Sequence, residues 1–277
     1  MVRIGISLGI TKVRLTGGEP LVRKGVVGLI DKLSQMPGLL DLALTTNGTL
    51  LAKNARKLAA AGLRRVNISL DTMDAAGFKK ITGMDLLQTV WNGIEQAADV
   101  GFAPIKINCV VMRGSNEEQI EPLAELTRKQ PFHIRFIEYM PINTDPLDSQ
   151  KHFMPIAEVA AKLNRLGRLR PVAPDAHDGP AQRFRFEGAM GEIGLIGSMS
   201  NHFCSRCNRM RLTADGHLRP CLLADDQIDV ITPLRQGASD EQLADLFKQA
   251  LAKKKGDHRL DFSGSSALQT QMSRIGG

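Results

Sequence analysis

Apolar and polar residues alternate with period two in five short segments, and the stretches between them carry apolar residues every three to four positions. The alternating segments are Lys12–Thr16, Leu40–Thr46, Arg65–Leu70, Ile105–Met112 and His133–Tyr139. Helix-type spacing covers Val22–Gln35, Leu50–Ala61, Asp85–Val100 and Glu117–Gln130, with Gly62 and Gly101 placed where helices stop. Strand and helix at this interval predict parallel β/α units wound in one direction.

The alternation itself carries information. A parallel strand covered on both faces usually reads as one apolar run. Here Val13 and Leu15 alternate with Arg14 and Thr16, Val66, Ile68 and Leu70 with Asn67, Ser69 and Asp71, and Ile105 and Ile107 with Lys106 and Asn108. Helices must cover the apolar face, so the polar face looks inward. This predicts a curved barrel with a wet interior; an open sheet with one wet face is the plainer alternative. Arg14 and Lys106 buried there without counter-charge would cost on the order of several kcal/mol each, so an anion is expected beside them. The strand ends read as polar turns, where β/α barrels place their chemistry. They are Thr16-Gly17-Gly18-Glu19-Pro20, Thr45-Thr46-Asn47-Gly48, Ser69-Leu70-Asp71 and Glu138-Tyr139-Met140-Pro141. Glu19 is expected to take an amine or hydroxyl.

From Asn143 to about Gly179 the chain is irregular and proline-rich, with a helix over Met154–Leu166. Short strands over Ala181–Phe186 and Gly191–Gly197 then predict a second, antiparallel element beginning near residue 180. The division expected is therefore 1–179 and 180–277. Ser239–Lys255 reads as a helix whose Lys253-Lys254-Lys255 run is a solvated end complementing the helix dipole.

Inside the second part, F-C-S-R-C-N-R-M-R-L-T-A-D-G-H-L-R-P-C runs from Phe203 to Cys221. A hairpin turning at Asp215-Gly216 would bring Cys221 back to Cys204 and Cys207. Three thiolates lack one ligand for a tetrahedral centre. Either His202, His217 or Cys109 closes a structural zinc site, or one position stays open to an exogenous group. Arg206, Arg209 and Arg211 beside the ligands favour an open site with an anionic substrate.

At 277 residues, with 43% hydrophobic and 23% charged residues, the chain can bury a large core. No apolar run approaches the roughly 18 residues of a membrane span, and no targeting segment is visible. Four cysteines, three of them clustered, fit a reduced compartment with a metal better than a disulfide framework. A net charge of +7 points to anionic partners. Nucleic acid is disfavoured, because one Trp, one Tyr and 4% aromatics leave little to stack on bases; a basic zinc protein on nucleic acid is the rival class.

V-R-L-T-G-G-E-P (Val13–Pro20), T-T-N-G (Thr45–Gly48), N-I-S-L-D (Asn67–Asp71), R-F-I-E-Y-M-P (Arg135–Pro141), F-C-x-x-C-N-R-x-R (Phe203–Arg211), Cys221 and a terminal Gly-Gly occur in this order. Together they resemble the GTP 3',8-cyclase family of radical S-adenosylmethionine (SAM) enzymes, over essentially the whole chain. The resemblance implies a partial β/α barrel holding SAM and a C-terminal domain holding a four-iron four-sulfur cluster. It implies that Cys204, Cys207 and Cys221 ligate that cluster, leaving one iron for the GTP base. By motif position, Arg14, Thr45, Lys106, Arg209, Met210 and Arg211 match GTP-binding positions, Gly18, Ser69 and Met140 match SAM-binding positions, and Gly276 and Gly277 match a tail that reaches the active site. The implied reaction cleaves SAM to a 5'-deoxyadenosyl radical, which takes the ribose C3' hydrogen of GTP. The resulting radical closes onto guanine C8, giving (8S)-3',8-cyclo-7,8-dihydroguanosine 5'-triphosphate, which cyclic pyranopterin monophosphate synthase consumes on the way to molybdopterin. Such an enzyme is cytoplasmic in bacteria and lies in the mitochondrial matrix in eukaryotes. A homodimer is compatible with the sequence, and nothing in the sequence identifies the electron donor.

One departure bears on activity. The family carries a second cluster, for SAM, on a C-x3-C-x2-C loop upstream of V-R-L-T-G-G-E-P. Twelve residues precede Val13 here and none is a cysteine. The expectation is an incomplete barrel lacking its first β/α unit, inactive alone in radical chemistry, or else a non-catalytic GTP-binding fragment.

Overall fold

The computed structural model describes residues 1–142, 146–173, 179–254, 256 and 262. Five parallel strands form where alternation places them: β1 (Lys12–Leu15), β2 (Asp41–Thr46), β3 (Arg65–Ser69), β4 (Ile105–Val111) and β5 (His133–Glu138). They lie side by side in chain order. The helices of this half are α1 (Val2–Ser7), α2 (Val26–Ser34), α3 (Leu51–Ala60), α4 (Ala75–Thr82), α5 (Leu87–Asp99) and α6 (Ile120–Lys129). Two of them escape the periodicity. Helix α1 is too short to show a repeat. Helix α4 is written in its ends instead: the Asp74 carboxylate accepts from the Gly77 amide, and Gly83 closes it with φ +74°.

Helices α7 (Pro146–His152) and α8 (Ile156–Leu166) follow, then β6 (Leu169–Pro171), β7 (Gln182–Phe186) and β8 (Glu192–Ile196). Strand β7 is antiparallel to both β8, as expected beyond residue 180, and β6, which lies before that boundary where no strand was expected, but these strands do not start a separate sheet. Strand β8 lies parallel to β5, so β8, β7 and β6 extend the barrel sheet to eight strands. Gly191 permits this docking, since a Cβ there would sit 2.1 Å from the Phe132 carbonyl oxygen. The separate antiparallel unit is the cysteine hairpin with β9 (Arg211–Leu212), β10 (His217–Arg219) and β11 (Ile228–Asp229), followed by α9 (Ile231–Arg235) and α10 (Asp240–Ala252).

The two sheet faces segregate as the alternation requires. Leu44, Val66, Ile68, Ile107, Cys109, Ile134, Phe136 and Ile193 are wholly buried on the outer face, beneath Leu51, Leu58, Val90, Ile94, Ile120 and Leu123 of the helices. A second core joins Leu243, Phe247 and Ala250 of α10 to Leu218, Val230 and Ile4. The short helix α1 is thereby docked on α10, with Arg3 paired to Asp240 at 3.0 Å. Among the described residues, no helix is long and apolar enough to cross a membrane.

Strand β1 ends the sheet and pairs only with β2 among the described strands. Beside it Val22 and Leu40 are 68% and 69% exposed. An unpaired edge flanked by apolar residues invites pairing between chains. The purified chain is therefore expected to self-associate, with a sedimentation coefficient that rises with concentration; a monomer throughout would contradict this.

Candidate functional site

The strand register assembles the polar face row by row. Lys12 lies opposite Asp41, and Arg14 faces Ala43, which faces Arg65. One row further on, Thr45, Asn67, Lys106, His133 and Glu192 line up across β2, β3, β4, β5 and β8. The next row holds Ser69, Asn108, Arg135 and Gly194. Gly194 gives Arg135 room, because a Cβ there would come within 3.0 Å of the arginine's Cγ.

This interior is electropositive. Asp41 answers Lys12 at 3.3 Å and takes Arg65 through both carboxylate oxygens. Glu192 is held by Arg183 and Arg185, each at 2.8 Å. Burial opposes its charge, but hydrogen bonds from Arg183 and Arg185 and the charges around it bring its pKa to about 2. His133, 3.6 Å from Glu192, is pushed down to about 4 by burial against the carboxylate's pull, with Lys106, Arg135 and Arg183 adding to the fall, so it is neutral at pH 7. Lys106 is 8% exposed, and burial, then Arg135, Arg65, Lys12 and Arg14, lower its pKa to about 7. Arg14 stays open to the hollow, yet the protein around it, then Arg65 and Arg209, lower its pKa to about 10. Positive charge on one buried surface is self-repelling unless an anion enters. The side-chain oxygens Asn67 Oδ1 and Asn108 Oδ1 are buried on the same face without a protein donor, so the hollow also offers acceptors to a ligand's hydroxyl or amino groups.

The hairpin adds its arginines to this surface. Arg211 lowers to about 10 through burial and Arg209, with Arg14 contributing and the Cys221 and Cys207 thiols opposing. Its charge is thus within reach of the barrel wall and of cysteines on both limbs. Arg209 stacks 5.0 Å over the Phe203 ring and hydrogen-bonds Cys207. Burial raises the Cys207 thiol, but Arg209 and Lys254 outweigh it and the net shift is downward. Met210, between the arginines, turns its side chain into the second core; only its backbone remains on the arginine side.

The cysteine triad needs one correction. Among the described residues, no group of three or more His, Cys, Asp or Glu is arranged to hold a single metal ion. The imidazole of His202 bonds the Met199 carbonyl, that of His217 lies 3.3 Å from Asp215, and Cys109 belongs to the apolar outer face. None of the three completes a closed zinc site. Cys204 and Cys207 share a tight turn in which the Cys207 amide donates to the Cys204 carbonyl at 3.1 Å, and the Leu223 amide donates to Cys221 Sγ at 3.3 Å. A purely thiol donor set, half-buried, with N–H donors aimed at sulfur and cations around it, fits a multinuclear iron–sulfur group. Cys109, the fourth cysteine, is engaged elsewhere: burial and Asp71 push its thiol up, and it donates to the Asp71 carbonyl.

At the C-terminal rim of the strands, Gly18 is exposed, with nothing near where a Cβ would be. Ser69 is exposed, and Met140 packs with Ile142, Met199, Leu222 and Leu223, so this rim meets the loop after Cys221. Glu19 does not await a ligand: it accepts from the Leu21 amide, the Thr46 hydroxyl and the Asn47 amide, tying the ends of β1 and β2. Glu138 likewise receives the amides of Ile156, Met199 and Ser200 and fixes the approach to the hairpin. Gly276 and Gly277 lie outside the described residues. The structure thus brings Arg14, Arg209 and Arg211 together, with Thr45 and Lys106 on the row next to Arg14. Sequence reasoning assigned nothing to Lys12, Arg65 and Arg135; Lys12 shares the face of Arg14 and Arg65 that of Ser69, and for those two parity was the available signal.

Comparison with known proteins agrees in both halves. Residues 1–127 match the model of the Radical SAM superfamily, and residues 132–260 match that of Molybdenum Cofactor Synthesis C. The GTP 3',8-cyclase of Moorella thermoacetica is 46% identical over 277 residues, all of this chain and 85% of that protein. Those of Pelotomaculum thermopropionicum and Gloeobacter violaceus are 45% and 46% identical, over 85% and 84% of their lengths. Among solved structures, Streptococcus suis SuiB bound to precursor peptide SuiA superposes with a TM-score of 0.56 at 17% identity, over 83% of this chain and 53% of that one, a likeness of fold.

Proposed function

The chain belongs to the GTP 3',8-cyclase family, and on that footing we propose that it binds GTP as the cyclase of molybdenum cofactor biosynthesis, with the triphosphate inside the barrel and the guanine toward the cysteine hairpin. The observation that carries this is the cationic interior, where the register sets Arg14, Arg65, Lys106 and Arg135 on one face and burial and neighbouring cations lower the pKa of Arg14, Lys106 and Arg211. A triphosphate removes that repulsion.

In this arrangement Arg14 and Lys106 hold the phosphates, and Arg209 and Arg211 close over them from the hairpin. Thr45 and the unmet acceptors of Asn67 and Asn108 take hydroxyls of the ribose, and Met210 contributes its backbone. Cys204, Cys207 and Cys221 would hold a four-iron four-sulfur cluster, which when bound supplies an iron without a protein ligand that a purine can reach. Gly18, Ser69 and Met140 form the SAM rim: Gly18 lets a ligand approach the backbone, Ser69 offers a hydroxyl, and Met140 joins the rim to the hairpin loop. As that cyclase it would work in the cytoplasm, and a pyranopterin-forming synthase would consume its 3',8-cyclised product.

Cys109 supports a narrower reading for the 277 residues by themselves. Its thiol is sealed under the helices, and no step through a SAM-cleaving cluster is assigned to it. The anaerobically reconstituted chain is expected to bind GTP without releasing 5'-deoxyadenosine from SAM; release above the blank by chromatography would refute that narrower reading.

The binding proposal is tested at Arg14, which touches no cysteine. Arg14→Ala should weaken GTP about 10- to 100-fold, the loss of a buried charge-assisted contact, with iron per chain unchanged. Wild-type affinity in that variant, by calorimetry, would overturn it.

The lowered Lys106 pKa fixes a pH dependence. Near pH 7 this ammonium is about half protonated, and a bound triphosphate raises its pKa, so binding takes up a proton. GTP affinity should be greatest below about pH 7 and fall as pH rises above it, by at most about tenfold per unit. Lys106→Met should bind more weakly and lose that slope; an unchanged slope would exclude Lys106.

A further inference from the structure

Helix α10 packs on the cysteine hairpin, and the residue it delivers there has entered the site so far only through its charge near Cys207. Leu243, Phe247 and Ala250 bury one side of α10 against Leu218 and Val230. A capping box at Ser239 and Gln242 fixes where the helix starts. Two residues after its end, Lys254 is half-buried rather than solvated as its charge run suggests. Its ammonium donates to the Arg209 carbonyl at 2.7 Å and to the Pro220 carbonyl at 2.8 Å.

Those two carbonyls belong to opposite limbs. Arg209 precedes β9 and stands two residues after Cys207; Pro220 follows β10 and immediately precedes Cys221. The ladder between β9 and β10 ends at the Arg211–Arg219 pair, so beyond it the strands no longer hold each other. We propose that Lys254 is a positioning residue: one ammonium staples both limbs where the ladder stops and sets the separation of Cys207 from Cys221 and the reach of Arg209 and Arg211 into the barrel. A compact cation with three donors suits two converging carbonyls, where a planar guanidinium spreads its donors in a fork. The consequence for GTP rests on the binding function proposed above; the staple itself does not.

The test compares Lys254→Gln and Lys254→Arg with Lys248→Gln, which removes an exposed pair with Asp245 on the same helix. Hydrogen exchange of the full chain without nucleotide is read first. Lys254→Gln should speed exchange about tenfold in residues 207–211 and 221–223 together, while β3 and β4 stay protected. Lys254→Arg, which keeps the charge but spreads its donors, should restore only part of the protection, and Lys248→Gln should match wild type. After anaerobic reconstitution with iron and sulfide, Lys254→Gln should hold about half the wild-type iron or less and bind GTP about fivefold more weakly. Wild-type exchange in either limb, equal acceleration in β3 and β4, or fast limbs with iron and GTP untouched would each overturn the positioning role. A wild-type chain that binds no GTP would sink the proposed function instead, and the exchange and iron data would still decide the staple.

Discussion

Repulsion among like charges on one inward face is the constraint around which this molecule is built. Lys12 and Arg65 share Asp41, and Glu192 is already claimed by Arg183 and Arg185. What remains, Arg14 and Lys106 with Arg209 and Arg211 brought over from the hairpin, faces a hollow rather than counter-ions. Such a surface raises the free energy of the folded chain without ligand and lowers it once an anion enters. The outer face makes that tolerable. Its apolar strand residues are sealed beneath helices, and burial there at about 25 cal/mol per Å² supplies the stability that the inner face withholds.

The two faces also explain which cysteines can do chemistry. Cys109 occupies an outward position on β4, one residue out of phase with Asn108, and is sealed under the helices. Cys204, Cys207 and Cys221 sit on loops flanking a short hairpin, half-buried among cations and amide donors. The same side chain is core filling in one parity and a ligand candidate in the other, so location relative to the pleat outweighs residue type.

Much of this was legible in the sequence. The five parallel strands and their polar face follow from alternation, and once the strands are in register Arg14, Thr45 and Lys106 must point inward. What escaped was whatever depends on contacts remote in the chain. Strands β7 and β8 were correctly taken as strands, but nothing in their ten residues says that β8 docks beside β5; Gly191, which allows the close approach, looks like any turn glycine. Glu19 looked like a ligand-binding acid, yet the Leu21 and Asn47 amides and the Thr46 hydroxyl consume it, as backbone amides consume Glu138. Short helices such as α4 carry their signal in the cap, where one Asp and one Gly are easily passed over.

Lys254 illustrates the same limit from the other side. A run of three lysines at a helix end has an adequate local explanation in the helix dipole, and composition offers no reason to single one out. The distinction arises because α10 is fixed at both ends of its own argument: a capping box sets its start, and Leu243, Phe247 and Ala250 set its rotation on the hairpin. With start and rotation determined, it is the Lys254 ammonium that the helix delivers to the carbonyls of Arg209 and Pro220. A surface charge thereby becomes part of the frame that carries the cysteines, through packing on the far side of the hairpin from the hollow it serves.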